Sequence, residues 1–327
     1  MVQSTQQPVC STVFTATLLL VSCAVTSHQT QPARLGDPSS LAALEAVIDQ
    51  PGPIVVETVK VADWHVPLSG LLNLEHPSAR AAGLQDREEP VQIFLHALHH
   101  PDRGVYLIDS GVQAGIHGDD SAIGGLVASV AGLDELKVQL DTRAWLKRQQ
   151  TPPSGVFLTH LHLDHVMGLP DIPAGTPLYA GPGEAQASAF ENLFVQGTTD
   201  RELKGHAALS EWSFPVVAAG EGSIAVLDVF GDGTLWALHV PGHTPGSTAF
   251  VARSPQGPVL FTGDACHTAW GWEHGVEPGS FSSDAPRSRQ SLLALRALVE
   301  RHPKISVRLG HQPLPPAPTA VAIRNER

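Results

Sequence analysis

The chain has 327 residues, with 20 Lys or Arg against 32 Asp or Glu and a formal net charge of −12 at pH 7. A nucleic-acid binder needs a basic stripe to replace the counterions of phosphate, so this balance argues against one. Thirty glycines and 27 prolines beside two tyrosines suit many short elements joined by turns, and the length allows one large domain or two small ones.

No charged side chain precedes Arg34, and Val13 to Val21 is an apolar run of signal-peptide length, too short to cross a bilayer as a helix. Leu20-Val21-Ser22-Cys23 resembles a bacterial lipobox. Residues 1–22 are therefore expected to be a lipoprotein-type signal peptide, cleaved before a lipid-bearing Cys23. That reading places the protein in the periplasm or on the outer membrane, attached through Cys23. The other reading is a cytoplasmic chain with a buried first helix, since no Lys or Arg precedes the apolar run. Residues 23–40, rich in Ser, Thr, Gln and Pro, read as a flexible tether. Residues 41–327 then form one domain. With Cys10 removed and Cys23 acylated, Cys266 is the remaining thiol and no disulfide framework is available.

Within the domain, His96, His99 and His100 lack a consistent ligand geometry and read as strand and turn residues. Leu107-Ile108 runs into Asp109-Ser110-Gly111. Gly155 to Leu158 is an apolar strand followed by Thr159-His160-Leu161-His162-Leu163-Asp164-His165. Two residues apart at a strand end, His160 and His162 share a face and supply half of a tetrahedral metal site. Asp164 and His165, displaced by the turn, point to a second metal. Three more apolar runs end in a ligand: Leu235–Val240 before Pro241-Gly242-His243, Pro258–Gly263 before Asp264, and Ile305–Gly310 before His311. Strand, glycine, ligand is a more specific pattern than any one histidine, because open α/β sheets bind at strand ends. Cys266 reads as a small buried hydrophobe. His267, Trp270, Trp272 and His274 crowd one loop and read as the roof of an apolar pocket. Ser288 to Val299 places Leu292, Leu295 and Val299 on one helical face. Pro313-Leu314-Pro315-Pro316 should run extended as a surface strap.

From about Val105 to Pro313, the His-x-His-x-Asp-His signature and the glycine-flanked ligands resemble the metallo-β-lactamase superfamily. The resemblance implies a four-layer αβ/βα sandwich with a dinuclear site on one edge of two packed sheets. Carried over residue by residue, it implies that His160, His162 and His243 hold one metal and Asp164, His165 and His311 the other. Asp264 would bridge both, and Asp109 would be the carboxylate behind the ligands. β-Lactamases of the commonest zinc class have Cys in place of Asp264, and the nucleases carry an RNA-binding insertion and basic surface absent here.

The ligand spacing is most similar to N-acyl-homoserine-lactone lactonases and organophosphate hydrolases. Those lactonases place a Tyr three residues after the bridging Asp, where it meets the substrate carbonyl; here that position is His267. The implied activity is hydrolysis of a small neutral ester by a hydroxide bridging two divalent ions, zinc first, about 3.5–4 Å apart. A lactone ranks ahead of an organophosphate or other phosphoester. Asp264 would orient the hydroxide and His267 would act on the substrate. A different class, an iron-dependent oxidase or a metal-binding module of the same fold, is told apart by metal analysis and by loss of turnover on chelation.

Overall fold

Side chains alternate along a strand, and in this chain that alternation sorts the apolar residues between two cores. In Gly104–Ile108, Tyr106 and Ile108 enter one cluster and Leu107 another. In Leu235–His239, Leu235 and Ala237 join Tyr106 and Ile108, while Trp236 and Leu238 face a third cluster. The computed structural model, which describes residues 23–189, 192–217 and 223–314, thus has three interlayer cores.

The middle core lies between two sheets. The larger has eight strands in the order Thr30–Pro32, Leu209–Glu211, Leu178–Ala180, Gly155–Phe157, Gly104–Ile108, Glu88–His100, Val55–Pro67 and Lys137–Val138. The smaller has six, in the order Ser306–Arg308, Gly257–Phe261, Thr248–Ser254, Leu235–His239, Ala225–Asp228 and Asp37–Ser39. Helices Gly125–Val130, Thr142–Leu146 and Leu163–Val166 carry side chains into the outer core of the large sheet. Leu41–Val47 and Ala285–Arg301 cover the small one. This is the expected four-layer αβ/βα sandwich.

The long helix buries Leu292, Leu295 and Leu298, each contributing about 1.5–3 kcal/mol by burial. It begins three residues before the expected Ser288, because Asp284 caps it by accepting the Arg287 N–H at 3.0 Å and Pro286 fits the first turn.

The tether reading of residues 23–40 does not hold. Cys23–Ala24 pairs with Ser188–Ala189, Thr30–Pro32 extends the large sheet beside Leu209–Glu211, and Asp37–Ser39 closes the small sheet beside Ala225–Asp228. The pairing is made by main-chain groups, to which a Ser-, Gln- and Pro-rich composition is a poor guide. Residues 1–22, the expected signal peptide, and Pro315-Pro316 of the expected strap lie outside the described residues. No helix among the described residues is long and apolar enough to cross a membrane.

Candidate metal centre

Six strands end at one edge of the sandwich, and each delivers a charged or imidazole side chain just beyond its last residue. Ile108 leads to Asp109, Phe157 to His160, Ala180 to Glu184, His239 to His243, Phe261 to Asp264 and Arg308 to His311. The Thr248 N–H donates to the Thr159 carbonyl at 2.9 Å and ties the two sheets together there.

The structure brings all seven expected ligands into two groups that share one residue: His160, His162, His243 and Asp264, and Asp164, His165, Asp264 and His311. In the first, His243 Nε2 lies 3.1 Å from His160 Nε2 and 2.9 Å from His162 Nδ1. Asp264 Oδ2 is 3.5 Å from His243 Nε2 and 3.7 Å from His160 Nε2. In the second, the same oxygen is 3.3 Å from both His165 Nε2 and His311 Nε2, and Asp164 Oδ2 is 3.2 Å from His311 Nε2. His160, His165, His243, Asp264 and His311 are buried, whereas His162 and Asp164 are half-buried. The site therefore opens to solvent along the His162–Asp164 edge.

Two glycines make the close approach possible. Gly242, at φ 137°, packs on the start of the long helix, where a Cβ would collide with the Ser288 backbone. Gly310 packs on the carboxylate, where a Cβ would collide with Asp264 Oδ1.

The hydrogen bonds behind the ligands fix their tautomers. Asp109 Oδ2 can only accept, so His165 donates Nδ1–H to it at 2.8 Å and turns Nε2 toward Asp264. Thr159 donates its hydroxyl proton to Asp109, at 3.0 Å from Oδ2, so the His160 Nδ1–H at 3.1 Å donates to Thr159 Oγ1. His311 donates Nδ1–H to the Gln92 carbonyl at 3.1 Å, and the Gln92 N–H returns a bond to His311 at 2.9 Å. His243 Nδ1 meets Ser282 Oγ at 3.1 Å. Asp109 is the one non-glycine residue with positive φ among the described residues, at 58°, a conformation Asp tolerates better than most.

These residues fit a pair of metal ions. His243 Nε2 lies within 3.1 Å of both the His160 and the His162 nitrogen, and among the described residues His165 Nε2 and Asp264 Oδ1 are buried without a hydrogen-bond partner. Burial, with neighbouring imidazoles adding to it, holds His160 and His243 well below the ordinary histidine range, so both offer lone pairs at neutral pH. Burial alone would raise the Asp264 pKa, but His311, His267 and His165 outweigh it and keep the carboxylate ionised. Burial works against a charged His311 as well, yet Asp264 and Asp164 push it up to about 10 when no cation is present. Imidazole and carboxylate together suit zinc and other borderline divalent ions.

The family model of the "Metallo-beta-lactamase superfamily" matches residues 88–311, which contain all of these ligands. The chain belongs to the metallo-beta-lactamase superfamily. It is similar to the N-acyl homoserine lactonase AttM of Agrobacterium fabrum, with 31% identity over 231 residues, 70% of this chain and 84% of that one. Its fold is similar to that of a quorum-quenching N-acyl homoserine lactone lactonase, with a TM-score of 0.56 and 18% identity over 80% of this chain and 93% of that one. A dizinc quorum-quenching lactonase, AidC, aligns with a TM-score of 0.50 and 14% identity over 86% of this chain and 92% of that one.

Other expected residues fall in different places. His267 is buried, its Nδ1–H donates to the Leu71 carbonyl at 2.9 Å, and its Nε2 lies 3.0 Å from Asp264 Oδ2. Trp270 and Trp272 do not roof a common pocket. They lie on a helix, Ala269–His274, where residues two apart point to opposite sides: Trp270 packs on the outer core of the large sheet and Trp272 on that of the small one. Cys266 is buried in the latter core, and burial pushes its thiol up to about 12, which suits a packing residue. His96 and His100 are buried strand residues, His96 held neutral by burial at about 3.

Sequence reasoning missed Glu184, which is buried between the histidine loops of this superfamily site. Its signal was available, since Leu178-Tyr179-Ala180 followed by Gly181-Pro182-Gly183-Glu184 repeats the strand, glycine, ligand pattern.

Proposed function

We propose that this metal-dependent hydrolase opens a lactone, or a closely similar small neutral ester, with two zinc ions held at the sandwich edge. The observation that carries the reading is Asp264 Oδ2, which stands 3.3–3.7 Å from nitrogen donors of both ligand groups. The similarity to a curated N-acyl homoserine lactonase over 84% of that protein's length supports the lactone. Bound there, two divalent ions would supply a water activated near neutral pH and a Lewis acid for the substrate oxygen.

The chain's own residues do the rest. Asp264 orients what lies between the two groups, while Asp109 and Thr159 hold His165 and His160 in the tautomer that faces inward. Substrate enters along the half-buried His162–Asp164 edge. His267, anchored by the Leu71 carbonyl with Nε2 against Asp264 Oδ2, would meet a substrate oxygen that comes to lie beside that carboxylate. His267→Ala should then lower kcat about 100-fold, the usual cost of one such contact, and weaken metal binding through Asp264. Elemental analysis of the purified protein should give two zinc ions per chain, and chelation should abolish turnover. Assays on acyl-homoserine lactones, paraoxon and nitrocefin should favour the lactones; a preference for nitrocefin, or iron in place of zinc, overturns the reading.

Residues 1–22 and Cys23 serve, in the same proposal, as an export signal and a lipid attachment point. Because Cys23–Ala24 is already paired with Ser188–Ala189, lipid on Cys23 would hold the domain against the membrane without a free tether. Mass spectrometry of the membrane-extracted protein should find cleavage before Cys23 with an acyl addition. An uncleaved chain in the soluble fraction overturns it.

A further inference from the structure

We propose that Glu184 is the positioning residue that sets the spacing of the two histidine loops in the first ligand group, and with it that group's affinity for its metal ion. Glu184 is 1% exposed, and its carboxylate accepts from donors on both loops. Oε1 takes the Leu161 N–H at 2.9 Å, from the residue between His160 and His162. Oε2 takes the Thr244 hydroxyl at 2.8 Å and the Gly246 N–H at 2.9 Å, from the loop that carries His243. No ion pair to Glu184 occurs among the described residues, so the side chain is held by these polar contacts.

The backbone packs equally closely. A Cβ on Gly181 would collide with the Gly246 carbonyl, and one on Gly246 would come within 2.7 Å of the Glu184 side chain. The Gly181–Glu184 turn is therefore a wedge between the two loops, with a carboxylate at its tip. His243 Nε2 lies only 2.9–3.1 Å from the His160 and His162 nitrogens, so a small change in loop spacing would change how one ion is gripped.

The second group has anchors that do not pass through this wedge. His165 is held by Asp109 and His311 by the Gln92 backbone. Loss of Glu184 should therefore act on one metal site and spare the other, an asymmetry that general loosening of the fold would not produce. The inference rests on the two groups holding metal ions, and wild-type stoichiometry tests that premise separately.

The experiment is a cobalt(II) titration of the apo full-length chain against a chromophoric chelator, with H243A and H311A assigning the absorption bands to the two groups. In Glu184→Gln, which keeps the volume but faces an amide N–H₂ toward N–H donors, first-site affinity should fall 10–100-fold with the second site unchanged. Thr244→Val, which removes one of the three bonds and keeps the shape, should weaken the same site roughly fivefold. Wild-type affinity at the first site in both variants overturns the proposal, and so does an equal loss at both sites. A wild-type chain that binds no metal overturns the metal reading instead. Should Glu184→Gln fail to fold, Thr244→Val alone decides between the same outcomes.

Discussion

Asp109→Asn isolates how the second ligand group is held. In the wild type, Asp109 Oδ1 accepts the Thr159 N–H at 2.8 Å while Oδ2 accepts His165 Nδ1–H at 2.8 Å, with the Thr159 hydroxyl about equidistant from both. An Asn side chain of the same shape has one acceptor and one donor, and neither orientation works. With the amide oxygen toward Thr159, the N–H₂ faces His165 and drives the imidazole proton from Nδ1 to Nε2, the atom that must bind metal. With the oxygen toward His165, the N–H₂ opposes the Thr159 N–H and leaves that buried donor unpaired, a cost of about 1–3 kcal/mol. A charge-assisted bond is also lost, at about 1.5–3 kcal/mol. Expressed as metal affinity, about 10–100-fold should disappear from the second site, the range found for partners that orient ligands. The first site should lose less, because Asp109 reaches His160 only through Thr159. Competition titration with a chelator, read at each site, makes the comparison. Unchanged affinity at the second site, or a loss confined to the first, would refute this account of Asp109.

Asp264→Ala should strip both sites at once and abolish turnover, since Oδ2 serves both groups; a variant that retains one full equivalent of metal would show that the groups are independent. Gly310→Ala should drive a methyl into Asp264 Oδ1 at about 1–3 kcal/mol of strain, lowering metal affinity while far-UV circular dichroism stays native. Unchanged metal binding in Gly310→Ala would mean that this carboxylate moves freely. Glu202 is fully buried with Gln113 as its partner, and burial raises its pKa from 4.5 to about 8. Its proton therefore stabilises the fold fully below about pH 4.5, and that contribution, up to roughly 5 kcal/mol, is lost as pH rises through about 8. Urea denaturation of Glu202→Gln beside the wild type should show a flatter dependence between those pH values, and parallel curves would sink the assignment.

The metal ligands were legible because metal chemistry restricts residue type and the strand-end pattern restricts place. A histidine two residues after an apolar run has few other uses when the same arrangement recurs down the chain. Residues 23–40 resemble a tether in composition because edge strands at Thr30–Pro32 and Asp37–Ser39 are held by backbone pairing, which neither proline nor serine content reveals. The segment after Asp264 departs from the expected loop for a different reason. Thr268 accepts the Gly271 N–H and Gly275 ends the segment at φ 63°, so both helix caps stood in the sequence.

Glu184 is less legible than the ligands. A glutamate is weighed as a ligand or as a solvated charge, and this one is neither: its three bonds go to two backbone N–H groups and one hydroxyl. Such a role has no residue-type signature, because the donors it satisfies are mostly main chain and identical in every sequence. The strand-end position of Glu184 is readable, but its role is visible only once the strands have brought residues 161, 184 and 246 together. What a sequence displays is the chemistry of the ion; the geometry that spaces the ligands is written largely in backbone contacts. The catalytic inventory of such a site is therefore readable earlier than the residues that tune it.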